Sequence, residues 1–62
     1  MEIQKLLTTK ELAKFLGIGE STLLQYRFDG TGPAYIKLGH LVRYRISDVE
    51  AWLAKRTEQA EK

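Results

Sequence analysis

Apolar and polar positions alternate along this chain with two different periods. From Thr8 to Tyr26 the apolar set is Leu12, Leu16, Ile18, Leu23 and Tyr26, with small Ala13 beside Leu12. That spacing predicts two short helices crossing closely at Ala13. Thr8 is a good N-cap, and Glu11 three residues later completes a capping box, so the first helix should run from about Thr9 to Leu16. Gly17 suits the left-handed residue that ends it. Gly19 should cap a second helix from about Glu20 to Phe28. Asp29-Gly30-Thr31-Gly32-Pro33 is dense in turn formers and reads as a loop.

Beyond the loop the period shortens. Tyr35 to Leu38 and Val42 to Arg45 are β-branched, aromatic and alternating, with Gly39-His40-Leu41 between them. This pattern predicts a β-hairpin. A two-residue turn at Gly39-His40 would put Ile36, Leu38, Leu41 and Arg43 on one face. A three-residue loop, Gly39 to Leu41, groups Ile36, Leu38, Val42 and Tyr44 instead. The second register is expected, because it buries an apolar set and leaves Tyr35, Lys37, Arg43 and Arg45 outside. It exposes Leu41 at the tip. Ser47-Asp48-Val49-Glu50 reads as a second capping box, opening a third helix whose apolar stripe is Val49, Trp52 and Leu53. Leu12, Leu16, Leu23, Tyr26 and Trp52 are expected to be core. After Lys55 the pattern fades into a charged tail, residues 56–62.

The predicted fold is mainly α with a small β-hairpin, in the order helix, turn, helix, hairpin, helix: a winged helix-turn-helix. Sixty-two residues fit one domain with a core over about residues 6–55. There is no cysteine and only one histidine, His40. Disulfides and thiolate zinc sites are thereby excluded, and neither a metal nor a cofactor is expected. No paired carboxylates and no nucleophile with a base are available, so enzymatic activity is not expected. No apolar run approaches the ~20 residues of a membrane span, and no signal-peptide layout is present. A cytoplasmic protein, associated with neither membrane nor small-molecule ligand, is expected. Net charge is +2, but residues 34–46 carry Lys37, Arg43 and Arg45 without an acid. Residues 1–33 sum to zero. An anionic partner should feel the hairpin first.

LLTTKELAKFLGIGESTL followed by GTGPAYIKLGHLVRYRISDVEAWL resembles the excisionase-type helix-turn-helix proteins. These include the AlpA-like phage and prophage regulators, relatives of the MerR DNA-binding head. The resemblance covers about residues 6–53, with GTGP, KLG, VRYR and SDVEAWL in order and at matching spacing. It implies a sequence-specific binder of double-stranded DNA, serving as a transcriptional regulator or as an excisionase that directs recombination. An integrase or neighbouring copies on DNA are the implied partners, with the tail after Lys55 as a contact for them.

The resemblance places the second helix in the major groove, with Glu20, Ser21, Thr22 and Gln25 on its outer face and Arg27 towards its end. Gln25 suits adenine, and the hydroxyls suit bases or phosphates. The wing would use Lys37, His40, Arg43 and Arg45 along the backbone, and Lys10 and Lys14 would flank phosphates. Arg43→Ala is expected to weaken binding broadly, and Gln25→Ala to relax preference at one position. The chain departs from the group at Gly19, where Ser is common, at Glu20, where basic residues are, and at Leu24, where polar ones are. Leu24 and Phe28 at i, i+4 admit packing under the wing, contact with thymine methyls, or a partner contact. Glu20, Leu24 and the near-neutral charge also allow a protein-interaction module that keeps the fold without binding DNA.

Overall fold

Local signals set both helices of the turn. The computed structural model describes residues 5–57. Helix α1 spans Thr9–Leu16, and its capping box forms as expected. Thr8 Oγ1 accepts from the Glu11 backbone N–H at 3.0 Å, and Glu11 Oε1 accepts from the Thr8 N–H at 2.9 Å. Gly17 follows with φ 72°. Its N–H reaches Lys14 O, and the Ile18 N–H reaches Ala13 O at 3.0 Å. That pair of bonds is a Schellman motif, which satisfies the last carbonyls and drops Ile18 toward the core. Helix α2 spans Glu20–Asp29, one residue beyond the expected end. Gly30 (φ 74°) and Thr31 close it with the same motif, bonding Arg27 O and Tyr26 O.

Strands β1 (Leu6–Leu7), β2 (Ile36–Leu38) and β3 (Leu41–Arg45) form an antiparallel sheet in the order β1-β3-β2. Helix α3 spans Ile46–Arg56. Leu12, Ala13, Leu23, Tyr44 and Val49 are buried at the centre, with Leu7, Leu16, Ile18, Tyr26 and Val42 packed around them. Among the described residues no helix is long and apolar enough to cross a membrane.

The structure departs from the sequence reading at three places. β1 had no signal: two leucines before a cap are too few to show a period, and their pairing partners lie at Tyr44 and Arg45. The hairpin takes the register rejected above. Ile36 pairs with Arg43, Lys37 with Val42 and Leu38 with Leu41, leaving a two-residue turn at Gly39-His40. Gly39 has φ 67°, and no non-glycine residue has positive φ among the described residues. Glycine first and an ordinary residue second fits the type II′ hairpin turn. Leu38 is accordingly half exposed rather than buried, and Leu41 is exposed at the tip. Arg43 faces away from the core in either register, so its desolvation never discriminated between them. The helices α1 and α3 pack on β3, whose Val42 and Tyr44 face inward, while β2 is an outer strand.

The third correction is the start of α3. The helix begins directly after β3, with Arg45 as its N-cap and no side-chain cap bond, so no Ser47–Glu50 box opens it. Asp48, in the first turn, instead accepts from Arg45 Nε at 3.1 Å. Val49 is buried as expected, but Trp52 is half-buried and Leu53 is exposed. Leu53 borders an open apolar groove with Leu7, Phe15, Ile46 and Val49. The helix also runs through Arg56, so that residue belongs to the body rather than a tail; residues 58–62 lie outside the described residues.

Candidate nucleic-acid interface

Helix α2 divides cleanly into two faces. Leu23, Tyr26 and Arg27, at i, i+3 and i+4, turn inward; Leu23 is fully buried and the other two are half-buried. Thr22 lies half-buried at the edge. Glu20, Ser21, Leu24, Gln25, Phe28 and Asp29 are all exposed. Their mixture of apolar and polar types on both faces is why α2 has little amphipathic character.

Three contacts fix the attitude of that outer face. Arg27 Nη1 donates to Tyr44 OH at 3.0 Å and to Thr9 Oγ1 at 3.3 Å. Its guanidinium also lies 5.6 Å from the centre of the Tyr35 ring, a cation–π contact. One side chain thus ties α2 to α1, to β3 and to the loop before β2. Further along, Tyr26 meets Trp52 of α3 with ring centres 5.9 Å apart, and Arg56 lies over both rings. Trp52 Nε1 donates to Thr31 O at 2.8 Å, fastening the loop after α2 to α3. Gly32 in that loop leaves no space for a side chain: a Cβ there would stand 2.9 Å from Tyr26 Cβ.

The residues expected at a DNA surface fall into separate groups. Glu20, Ser21 and Gln25 share the outer face of α2. Gln25 Nε2 donates to both Asp29 carboxylate oxygens at 3.1 Å, an exposed i, i+4 contact. Arg27 is not on that face; it stands four residues from Leu23 on the inner stripe, and the fold supplies the Tyr44 hydroxyl that it meets there. Lys10 and Lys14 are exposed on α1, and His40 is exposed at the hairpin turn.

The wing cations do not share one side. Strand alternation puts Lys37 on the face of Val42, with Tyr35 and Tyr44, where Arg27 of α2 also lies. Arg43 and Arg45 point to the opposite face. Arg43 Nη1 donates to the Val42 carbonyl at 2.8 Å. Arg45 makes the ion pair with Asp48, the one such pair among the described residues. The grouping of Tyr35, Lys37, Arg43 and Arg45 on one outer face is therefore corrected, because the two-residue turn shifts β2 by one position against β3. The Glu11 carboxyl is held below its ordinary range, chiefly by the Thr8 backbone N–H. Slight desolvation opposes this; the charges of Lys5 and Arg43 and the Thr8 hydroxyl assist.

The family model for the helix-turn-helix domain matches residues 6–57, from β1 through the end of α3. The chain belongs to the helix-turn-helix domain family. It is a small helix-turn-helix protein of DNA-binding type. No curated protein matches it. In this helix-turn-helix protein α2 is the second helix of the pair, the one that such domains present to the major groove. Leu24 and Phe28 belong to the same outer face, which the sequence left undecided. Phe28 is 88% exposed, so packing under the wing does not account for it.

Proposed function

We propose that this helix-turn-helix protein is a sequence-specific reader of double-stranded DNA whose α2 enters the major groove, acting as a regulator of transcription or as an excision factor beside an integrase. The observation that carries the reading is the outer face of α2. Ser21 and Gln25 stand exposed on a helix locked in attitude by Arg27, Tyr26 and the loop through Thr31. Gln25 can leave Asp29 to bond an adenine edge, and Glu20 can accept from a cytosine amine. Lys37, on the α2 side of the wing, and Lys10 and Lys14 on α1 supply phosphate attraction. Buried area for one such module is about 600–1,000 Å². Occupancy then depends on repeated sites, neighbouring copies or a larger partner.

Selection of bound duplexes from a random pool, followed by a salt titration on the best site, tests this. Binding through about three to five phosphates gives a log–log slope near −0.9 for each. A second reading, a protein-interaction module, is favoured by the exposed Phe28 and by Glu20 at the head of α2. Failure to enrich any duplex, or a flat salt response, would decide for it.

A further inference from the structure

The outer face of α2 carries two side chains that polar base recognition does not use. Leu24 is 47% exposed and Phe28 88% exposed. With Ser21 and Gln25 they form an i, i+3, i+4, i+7 stripe, the spacing that keeps four residues on one side of a helix. Leu24 adjoins Gln25 in sequence and Phe28 follows one turn later. A large apolar residue left in water here contributes nothing to the core, which α2 fills with Leu23 and Tyr26 instead.

In the major groove the apolar group on offer is the C5-methyl of thymine, and it stands on the same edge of an A·T pair as the adenine atoms that a glutamine amide recognises. We propose that Leu24 and Phe28 are specificity determinants that read thymine methyl groups on either side of the base pair engaged by Gln25. This rests on the reading of α2 as the groove helix. The two residues are about 6 Å apart along the helix axis, four residues at about 1.5 Å each. Base pairs rise about 3.4 Å. The two methyls therefore lie about two base-pair steps apart. The interleaving of apolar with polar groups suits a base-pair edge, where methyls and hydrogen-bonding atoms alternate, better than a continuous apolar protein surface.

The test uses the full chain and the best duplex from the random pool. Each thymine is replaced in turn by deoxyuridine, which removes the methyl and keeps every hydrogen-bonding atom. Affinity should fall about fourfold at each of two positions, the worth of burying one methyl-sized group. Leu24→Ala should abolish the thymine–uracil difference at one position, and Phe28→Ala at the other, while both variants melt like the parent because both residues are exposed. Equal affinity for thymine and uracil throughout, with binding itself intact, overturns the proposal and leaves the DNA reading standing. So does a thymine–uracil ratio unchanged in both variants. Sedimentation showing that Phe28→Ala dissolves a self-associated species, with that ratio unaltered, assigns the patch to protein contact instead. Enrichment of no duplex at all overturns the reading of α2 together with this inference.

Discussion

Thr8 and Glu11 show how one residue pair defines an entire helix end. Each side chain satisfies the other's backbone N–H, and the exchange holds the Glu11 carboxyl below its ordinary range. A carboxyl that titrates lower when folded adds stability above its unfolded value, and that addition fades as pH falls through the folded one. Urea melts across the acid range should therefore show Glu11→Gln losing less stability than the parent in that window. Thr8→Ala, which removes the cap hydroxyl, should cost about 1 kcal/mol at neutral pH. Both residues were legible in the sequence because a capping box is a contact between neighbours three apart. Gly17 was legible for the same reason: a Schellman motif is closed within one turn.

Helix α2 was legible in extent but only half legible in orientation. Gly19 and Gly30 mark its ends, and Leu23 and Tyr26 announce its buried side. The family resemblance put Arg27 near DNA, towards the end of α2, yet it serves as the fastening between α2 and the rest of the fold. Replacing it by alanine strands the hydroxyl of Tyr44, whose ring is buried, and should cost roughly 1–3 kcal/mol in a thermal or urea melt. The salt slope of DNA binding separates the two roles. A phosphate contact removed lowers the slope by about one; a positioning residue removed leaves it unchanged, and the latter is the expected outcome for Arg27→Ala. The hairpin register differs from expectation at the same scale. β2 is an outer strand whose Leu38 stands half exposed, so the grouping of apolar residues on it was no guide to its register.

For the whole molecule the consequence is a divided wing. Lys37 lies on the side of α2, whereas Arg43 and Arg45 occupy the far face. The proposed DNA surface is accordingly narrower than the full set of wing cations: it pairs α2 with Lys37 and the α1 lysines. Lys37→Ala should lower the salt slope by about one, and Arg43→Ala should leave it unchanged, reversing the expectation that followed from the resemblance. Fluorescence anisotropy on the selected duplex at several salt concentrations measures both. A steeper loss for Arg43→Ala would move the wing's DNA-facing side to the Ile36–Arg43 surface. The five residues Tyr26, Trp52, Arg56, Thr31 and Gly32 couple α2 to α3, so the attitude of the outer face of α2 is set by the C-terminal helix as much as by its own turn.

By itself the chain determined what short-range forces decide: the bounds of α1, the capping box, the left-handed glycines, the inner stripe of α2 and the presence of a hairpin. Each depends on residues within about one or two helical turns, where sterics and local hydrogen bonds leave few alternatives. Tertiary structure decided the rest. The pairing of Leu6 with Arg45, the inward turn of Arg27 onto Tyr44, the register of β2 and the direct passage from β3 into α3 all require partners brought together by the fold. Arg27 and Tyr44 are 17 residues apart, and no pattern of neighbours specifies that meeting. Packing around Leu12, Leu23 and Tyr44 chose among arrangements that local chemistry allowed, and in doing so it selected which cations share a side with α2.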